Sequence, residues 1–209
     1  YEEYRWWKNE VDICKKGMVN TSLTDFNAMT EPEYQKGYSR ELATRSWFGR
    51  VNYAYDGRYL FEANVRYDAS SRFAPENRWG VFPSFSAGWR ISEEKFMQNA
   101  TAIDELKLRA SWGQLGNSAI SDYYAYQSLY SVQNYVFGNS VSSGFGMSSF
   151  SNPGLQWETT AVSNVGLDAS LLNNRLNATV DLYNKVTDGI LYRPSLSNSL
   201  KYFGSPYQN

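Results

Sequence analysis

Carboxylates, guanidiniums, amides and phenols are the side chains with chemical capacity here, because histidine does not occur among the 209 residues and cysteine occurs once, as Cys14. Without an imidazole there is no Ser-His-Asp or Cys-His relay and no His-ligated zinc, and one thiol closes no internal disulfide. Glu93 and Glu94 are adjacent, but neighbouring side chains on a helix diverge and cannot oppose each other across a glycosidic bond. They read instead as acids at the positive start of a short helix. Cys14, in the run Cys14-Lys15-Lys16, is expected to be a free exposed thiol without a catalytic role, since the sequence holds no histidine to activate it. Asp68 and Arg72 are expected to form an ion pair that stiffens a short turn. No cofactor and no metal site are expected.

The remaining charges fall into a pattern. From Tyr59 to Ser70, Tyr59, Phe61, Ala63, Val65, Tyr67 and Ala69 alternate with Leu60, Glu62, Asn64, Arg66, Asp68 and Ser70. That is the period of a strand with one apolar and one polar face. Trp79 to Ile91 repeats it with only Phe82 out of place, and the same alternation recurs over Trp47–Tyr55, Leu106–Gly113, Asn164–Leu171 and Leu176–Tyr183. Six strands of roughly ten residues result, and Arg50, Glu62, Arg66, Asp68, Arg90, Lys107, Arg109, Asp168 and Asp181 all fall on their polar faces.

The connections alternate in length. Asp56-Gly57-Arg58 and Leu172-Asn173-Asn174-Arg175 carry short-turn chemistry and lie at one end. Ser92–Asp104, at that same end, is expected to hold one short helix. The other end carries Ser71–Arg78, the long Asn117–Gln156 stretch, the first forty-five residues and everything beyond Thr187. An antiparallel up-and-down sheet with short turns on one rim and long loops on the other is therefore predicted.

Strand length separates two architectures for such a sheet. Strands of a soluble sandwich average about five or six residues, whereas a tilted transmembrane strand needs about 9 to 11 and is flanked by aromatic girdles. Tyr53, Tyr55, Tyr59, Tyr67, Trp79, Trp89 and Trp112 are girdle candidates, with ordinary cross-strand packing as the other reading. Trp157, at the start of a strand, is assigned to the girdle as well. In a barrel the nine charged residues line a wet lumen; in a sandwich they would have to enter the core. The net charge of -1 supplies no basic field to gather nucleic acid. The long loop places Tyr123, Tyr124, Tyr126, Tyr130, Tyr135 and Phe137 among Ser, Asn and Gly, which suits stacking on sugars or gripping a partner lid, with loop self-packing as the alternative.

Several long runs resemble one family. Arg66-Tyr67-Asp68-Ala69-Ser70-Ser71-Arg72-Phe73-Ala74-Pro75, Trp79-Gly80-Val81-Phe82-Pro83-Ser84-Phe85-Ser86-Ala87-Gly88-Trp89-Arg90, Leu106-Lys107-Leu108-Arg109-Ala110-Ser111-Trp112-Gly113 and Asn152-Pro153-Gly154-Leu155-Gln156-Trp157-Glu158 are similar to the barrel of SusC/RagA-type TonB-dependent transporters of Bacteroidetes. The resemblance covers about residues 46–194. It implies a 22-stranded barrel in the bacterial outer membrane, surrounded by lipid, that imports oligosaccharides or peptides under a SusD-like lipoprotein lid with energy from TonB.

On this reading residues 1–45 are an outer-loop region, 46–194 are barrel strands with their loops, and 195–209 begin a further outer loop. The plug, through which TonB would act, and the remaining strands are expected in other parts of a longer polypeptide. An aromatic-rich β-sandwich that binds carbohydrate is the second reading. An enzyme ranks third, with Glu62, Asp68 and Asp168 as its only credible carboxylates.

Overall fold

Alternating side chains put one row of each strand on either side of a sheet, and the computed structural model realises this over residues 1–18, 22, 29–100, 102–195 and 205–209, which it describes. Its strands are β1 (Glu2–Met18), β2 (Met29–Tyr55), β3 (Tyr59–Ser70), β4 (Trp79–Arg90), β5 (Ile103–Asn117), β6 (Leu129–Phe137), β7 (Ser140–Ser149), β8 (Glu158–Leu171) and β9 (Leu176–Asp188). Seven of them form one sheet in the order β1-β2-β3-β4-β5-β8-β9, and β6 with β7 forms a separate hairpin. The pairings β2–β3, β3–β4, β4–β5, β5–β8 and β8–β9 are all antiparallel.

Two compact units are present. Tyr4–Ala43 is one of them, and Tyr1–Glu3 with Thr44–Asn209 is the other. Strands β1 and β2 run through the first unit, where residues 1–45 were expected as outer loop. Charged and polar residues such as Lys8, Glu10, Lys36 and Arg40 stand throughout it, and the row Trp7, Val11 and Ile13 is interrupted by Asn9, so no continuous apolar row marks it for a periodicity reading. Within it Ser39 Oγ donates to Asn9 Oδ1 at 2.9 Å and the Cys14 thiol donates to Glu33 Oε2 at 3.3 Å.

In the second unit the short turns follow their residue types. Asp56 and Gly57 both adopt positive φ, as do Leu172, Asn173 and Asn174, which matches the twist of the strands they join. The turns share one end: Arg90 N donates to Arg58 O at 2.8 Å, and Leu172 N donates to Ala102 O at 3.1 Å. The helix expected in Ser92–Asp104 is not formed. Two 3-10 turns, Ile91–Glu93 and Lys95–Met97, stand there instead, separated by Glu94 in an extended conformation (φ -74°, ψ 146°). The 40 residues between β5 and β8, expected as loop, include the β6–β7 hairpin turned by Gly138 at φ 61°. Residues 196–204, part of the expected further outer loop, lie outside the described residues.

The register aligns the apolar rows of adjacent strands. Tyr59 stands opposite Trp89, Ala63 opposite Phe85 and Tyr67 opposite Val81; Phe85 stands opposite Trp112 and Ala87 opposite Ala110. Val165 and Leu167 continue the row against Leu182 and Val180. These side chains remain exposed: Val51, Tyr53, Phe61, Val65, Val81, Phe85, Leu182 and others on this face touch no covering layer. The apolar core among the described residues sits elsewhere, in Phe73, Ile120 and Leu155 of the long loops.

Candidate functional site

The sheet offers two faces with different chemistry. On the apolar face, rings gather at two heights. Tyr55, Tyr59 and Trp89 form a stacked series at the short-turn end, with centroids 6.3 and 6.5 Å apart. Tyr67 stacks on Trp79 at 4.4 Å near the long-loop end, where Tyr1 also meets Trp47 at 4.6 Å. Between them the face carries Phe61, Ala63, Val65, Phe85, Ala87 and Ala110. From Tyr59 to Tyr67 the strand rises about 26 Å at ~3.3 Å per residue, or ~20 Å across a membrane at a tilt of about 40°. That matches an apolar band with a ring of aromatics at each interface.

On the polar face all nine charged candidates share one side of the sheet, and most are paired across strands. Arg50 on β2 reaches Glu62 Oε2 on β3 at 2.6 Å, and Asn64 Nδ2 donates to Glu62 Oε1 at 2.8 Å. Arg109 on β5 makes a two-pronged contact with Asp168 on β8, at 2.6 and 2.9 Å, and reaches Asp181 on β9 at 3.3 Å. Gly166 lies beneath that guanidinium; a Cβ there would fall 2.8 Å from Arg109 Nη2. Lys107 stands opposite Asp168 in register. Arg66 pairs with Asp68 along β3, so Asp68 does not meet Arg72 as the sequence suggested. Arg72 turns to the loops, donating to Ser118 O at 2.9 Å and lying over the Tyr123 ring at 5.5 Å. Arg90 is at the rim, 3.3 Å from Glu93. Such exposed pairs hold a polar surface in order more than they stabilise the chain.

The short-turn rim contains a buried carboxylate that sequence reasoning assigned to a helix start. Glu94 accepts from Tyr59 Oη at 2.6 Å, from Trp89 Nε1 at 3.0 Å and from Arg58 Nη1 at 3.0 Å. Those hydrogen bonds, Tyr59 first, hold its carboxyl below the ordinary value against the opposing effect of desolvation. Arg58 also pairs with Asp56 inside the turn. Glu94 thereby ties the β2–β3 turn, the end of β4 and the following connection into one knot.

The loop aromatics stand on two stretches of the long connection. Tyr123, Tyr124 and Tyr126 lie between β5 and β6, with Tyr126 Oη accepting from Gln127 Nε2 at 3.0 Å. Tyr130, Tyr135 and Phe137 stand on β6, all three exposed. Register pairs Tyr130 with Met147, Val132 with Phe145 and Val136 with Val141, so the hairpin carries an apolar face of its own.

Trp157 is not a girdle residue. It lies against Phe73 and Phe82, with centroids 5.3 and 5.2 Å away, and its Nε1 donates to Arg78 O at 3.0 Å. The signal was present in the sequence: Phe82 is the one residue that breaks the β4 alternation. It is 6% exposed on the polar side of the sheet, with Gly80 and Gly116 making room; a Cβ on Gly116 would fall 2.0 Å from its ring.

A sheet with an aromatic-bounded apolar face, an ion-paired polar face and, on the rim opposite its tight turns, a 40-residue connection between β5 and β8 is a stretch of transmembrane β-barrel wall. A model of the TonB dependent receptor-like β-barrel family matches residues 7–209, and the chain belongs to that family. It is 42% identical over 161 residues to the TonB-dependent receptor SusC of Bacteroides thetaiotaomicron, covering 75% of this chain and 16% of that protein. TonB-dependent receptor P39 of Formosa agariphila is 40% identical over 192 residues, 90% of this chain and 18% of that protein. Among solved structures, the RagAB peptide transporter superposes with a TM-score of 0.84 at 31% identity, over 99% of this chain and 23% of the matched one. The chain therefore spans about a fifth of the proteins it matches. It is an outer-membrane β-barrel segment of SusC/RagA type, with the short turns at the inner rim and the long loops at the outer one.

Proposed function

We propose that this chain forms one wall of an importer that captures oligosaccharides or peptides at the outer surface and passes them through a plugged lumen. The observation that carries this reading is the division of the sheet over β2–β5, β8 and β9 into an apolar face with aromatics at both heights and a polar face ordered by ion pairs. An importer needs a wall that is apolar toward lipid and wet toward its cargo, and no bond need be made or broken in it. The nine polar-face residues from Arg50 to Asp181 line the passage. A SusD-like lipoprotein lid covers the outer rim, and the aromatics Tyr123, Tyr124, Tyr126, Tyr130, Tyr135 and Phe137 are the contacts it or the cargo meets first. TonB acts on a plug supplied by the rest of the polypeptide. The likeness to SusC and to the RagAB peptide transporter supports this assignment.

The test uses the whole receptor in outer membranes, with Cys14→Ser as background. Cysteines placed at Ser111 on the polar face and Ala110 on the apolar face are treated with a water-soluble, membrane-impermeant maleimide. Labelling of Ser111→Cys with protection of Ala110→Cys is the expected result. Equal labelling of both, or release of the receptor without detergent, would overturn the barrel reading and restore a sandwich, in which the apolar face packs on protein. Uptake of labelled oligosaccharides and oligopeptides by cells carrying the receptor then separates the two cargo classes.

A further inference from the structure

The outer end of the wall is split. Strands β4 and β5 pair from Arg90–Lys107 as far as Ser84–Gly113 and no further. Beyond that point β4 stays on β3, up to the Ala69–Trp79 pair, and β5 stays on β8, up to Asn117–Glu158. Pro83, the next residue outward on β4, has no N–H to give a ladder. Phe82 fills the parting from the polar side, its ring lodged between Gly80 and Gly116, with Trp157 behind it.

On the opposite side the parting is a cavity of about 240 Å³. Of its lining, Trp79, Gln114 and Thr159 occupy positions of the apolar face: Trp79 is in line with Val81, Gln114 stands opposite Ala161, and Thr159 lies two residues before it. Val81 is a fourth lining residue of that face, Gly80, Phe82 and Trp157 line the cavity from the parting itself, and Glu76, Asn77 and Gln156 belong to the loops beside it. The apolar face thus turns polar at one place only along β4 and β5, at the height of the outer aromatic ring formed by Tyr67 and Trp79. Among the described residues the side chains of Glu76, Gln114, Gln156 and Thr159 have no hydrogen-bond partner. A flat ring beside amides, a hydroxyl and one carboxylate is the chemistry that binds a polyhydroxylated, uncharged ligand, with ring faces on C–H surfaces and amide groups on hydroxyls. An anionic group is disfavoured there by Glu76, and the described lining holds no Lys or Arg to meet one.

We propose that this cavity binds the neutral saccharide headgroup of an outer-leaflet glycolipid, with the acyl chains lying along the apolar face below it. The inference rests on the membrane-wall reading, because the cavity opens toward lipid only if that face meets lipid. It is separate from cargo capture, which uses the other face and the loops.

The whole receptor, purified in a sugar-free detergent, is mixed with equal amounts of monogalactosyl diacylglycerol and a phosphatidylcholine with the same chains. Bound lipid is then counted by native mass spectrometry. Retention of the first over the second by about fivefold or more is expected, falling to about equal in the pair Gln114→Leu with Thr159→Val. The single variant Glu76→Gln, in an exposed loop position that leaves the wall intact, is expected to reduce the preference to an intermediate ratio. Heat-dependent gel migration reports whether each variant keeps its barrel. No preference in the wild type, or an undiminished preference in both variants with the barrel intact, would overturn the proposal. Competition by methyl galactoside as strong as by the glycolipid would also overturn it, by assigning the cavity to free sugars. A receptor that stays dispersed without detergent would instead fail the membrane-wall reading itself.

Discussion

The seven-stranded sheet and the outer-loop cluster are both rich in aromatic and aliphatic residues, yet they hold them in opposite ways. The sheet exposes its large side chains, and its order comes from backbone ladders and cross-strand pairs. Outside the β6–β7 hairpin, whose Tyr130, Phe137 and Phe145 stay exposed, the loops bury theirs: Phe73 and Leu155 are fully inaccessible and Ile120 is 4% exposed, with Ala125, Trp157, Leu191 and Tyr207 around them. Hydrogen bonds from distant stretches close the cluster, including Asn152 Nδ2 to Tyr207 O at 2.8 Å and Asn77 Nδ2 to Pro153 O at 3.1 Å. A sheet bounded by lipid needs no protein core because the solvent on that side is already apolar. Loops standing in water do need one, since their chain entropy must be offset by burial. The comparison teaches that the outer loops of this wall are a folded structure, tied to the sheet through Phe82 and Trp157.

The sharpest way to break that contrast is Phe73→Ala. Emptying a fully buried aromatic site costs about 3–5 kcal/mol, and the loss should fall on the cluster alone. Limited proteolysis of intact cells is expected to cut within residues 118–128 of the variant, with membrane insertion and heat-dependent gel migration unchanged. A variant barrel that also unfolds at lower denaturant would show that sheet and cluster are one cooperative unit.

A charge in the other region tests the lipid side. Ala63→Arg, midway between the aromatic rings, is expected to cost about 2–4 kcal/mol in denaturant unfolding from lipid vesicles. The same substitution at Ser111 on the polar face should change little.

The junction between the regions is probed by Gly116→Ala, which forces the Phe82 ring to move and costs about 1–3 kcal/mol by overpacking. Loss of the Phe82–Trp157 contact should appear as a shift in tryptophan fluorescence.

The smallest effect is at the inner rim, far from both. The Glu94 carboxyl is held below its ordinary value near 4.5 by Tyr59, Trp89 and Arg58. Its folded-state pKa is depressed, so its stabilising contribution is complete above that ordinary value and is lost as pH falls through the lowered one. Thermal unfolding of wild type and Glu94→Gln in detergent is expected to differ at neutral pH and to converge in acid. A constant difference at all pH values would show that the hydrogen-bond geometry, and not the charge, is what matters.

The family to which the chain belongs, the two faces of its sheet and the side on which the turns are short were all legible from residue order. Alternation is a local property with period two, and Tyr59–Ala69 or Trp79–Ile91 display it without reference to any other strand. The nine polar-face charges could be placed on one side for the same reason. Which of them pair could not, since Arg50–Glu62 and the Arg109–Asp168–Asp181 contacts depend on register between strands up to 72 positions apart. Glu94 was misassigned because its three partners come from two strands and a turn, and local spacing alone suggested a helix.

Residue order by itself determined the pattern: apolar rows at every second position, aromatics near strand ends, and Gly, Asn and Asp where the chain must turn tightly. Those choices are settled by backbone geometry and by the solvent each face must meet. Only the tertiary structure decided that Trp157 leaves the girdle for the loop core, that β4 and β5 part at Pro83, and that Phe82 closes the gap. Each of these is a packing outcome between segments far apart in the chain, where volume and register, and not periodicity, choose the neighbour.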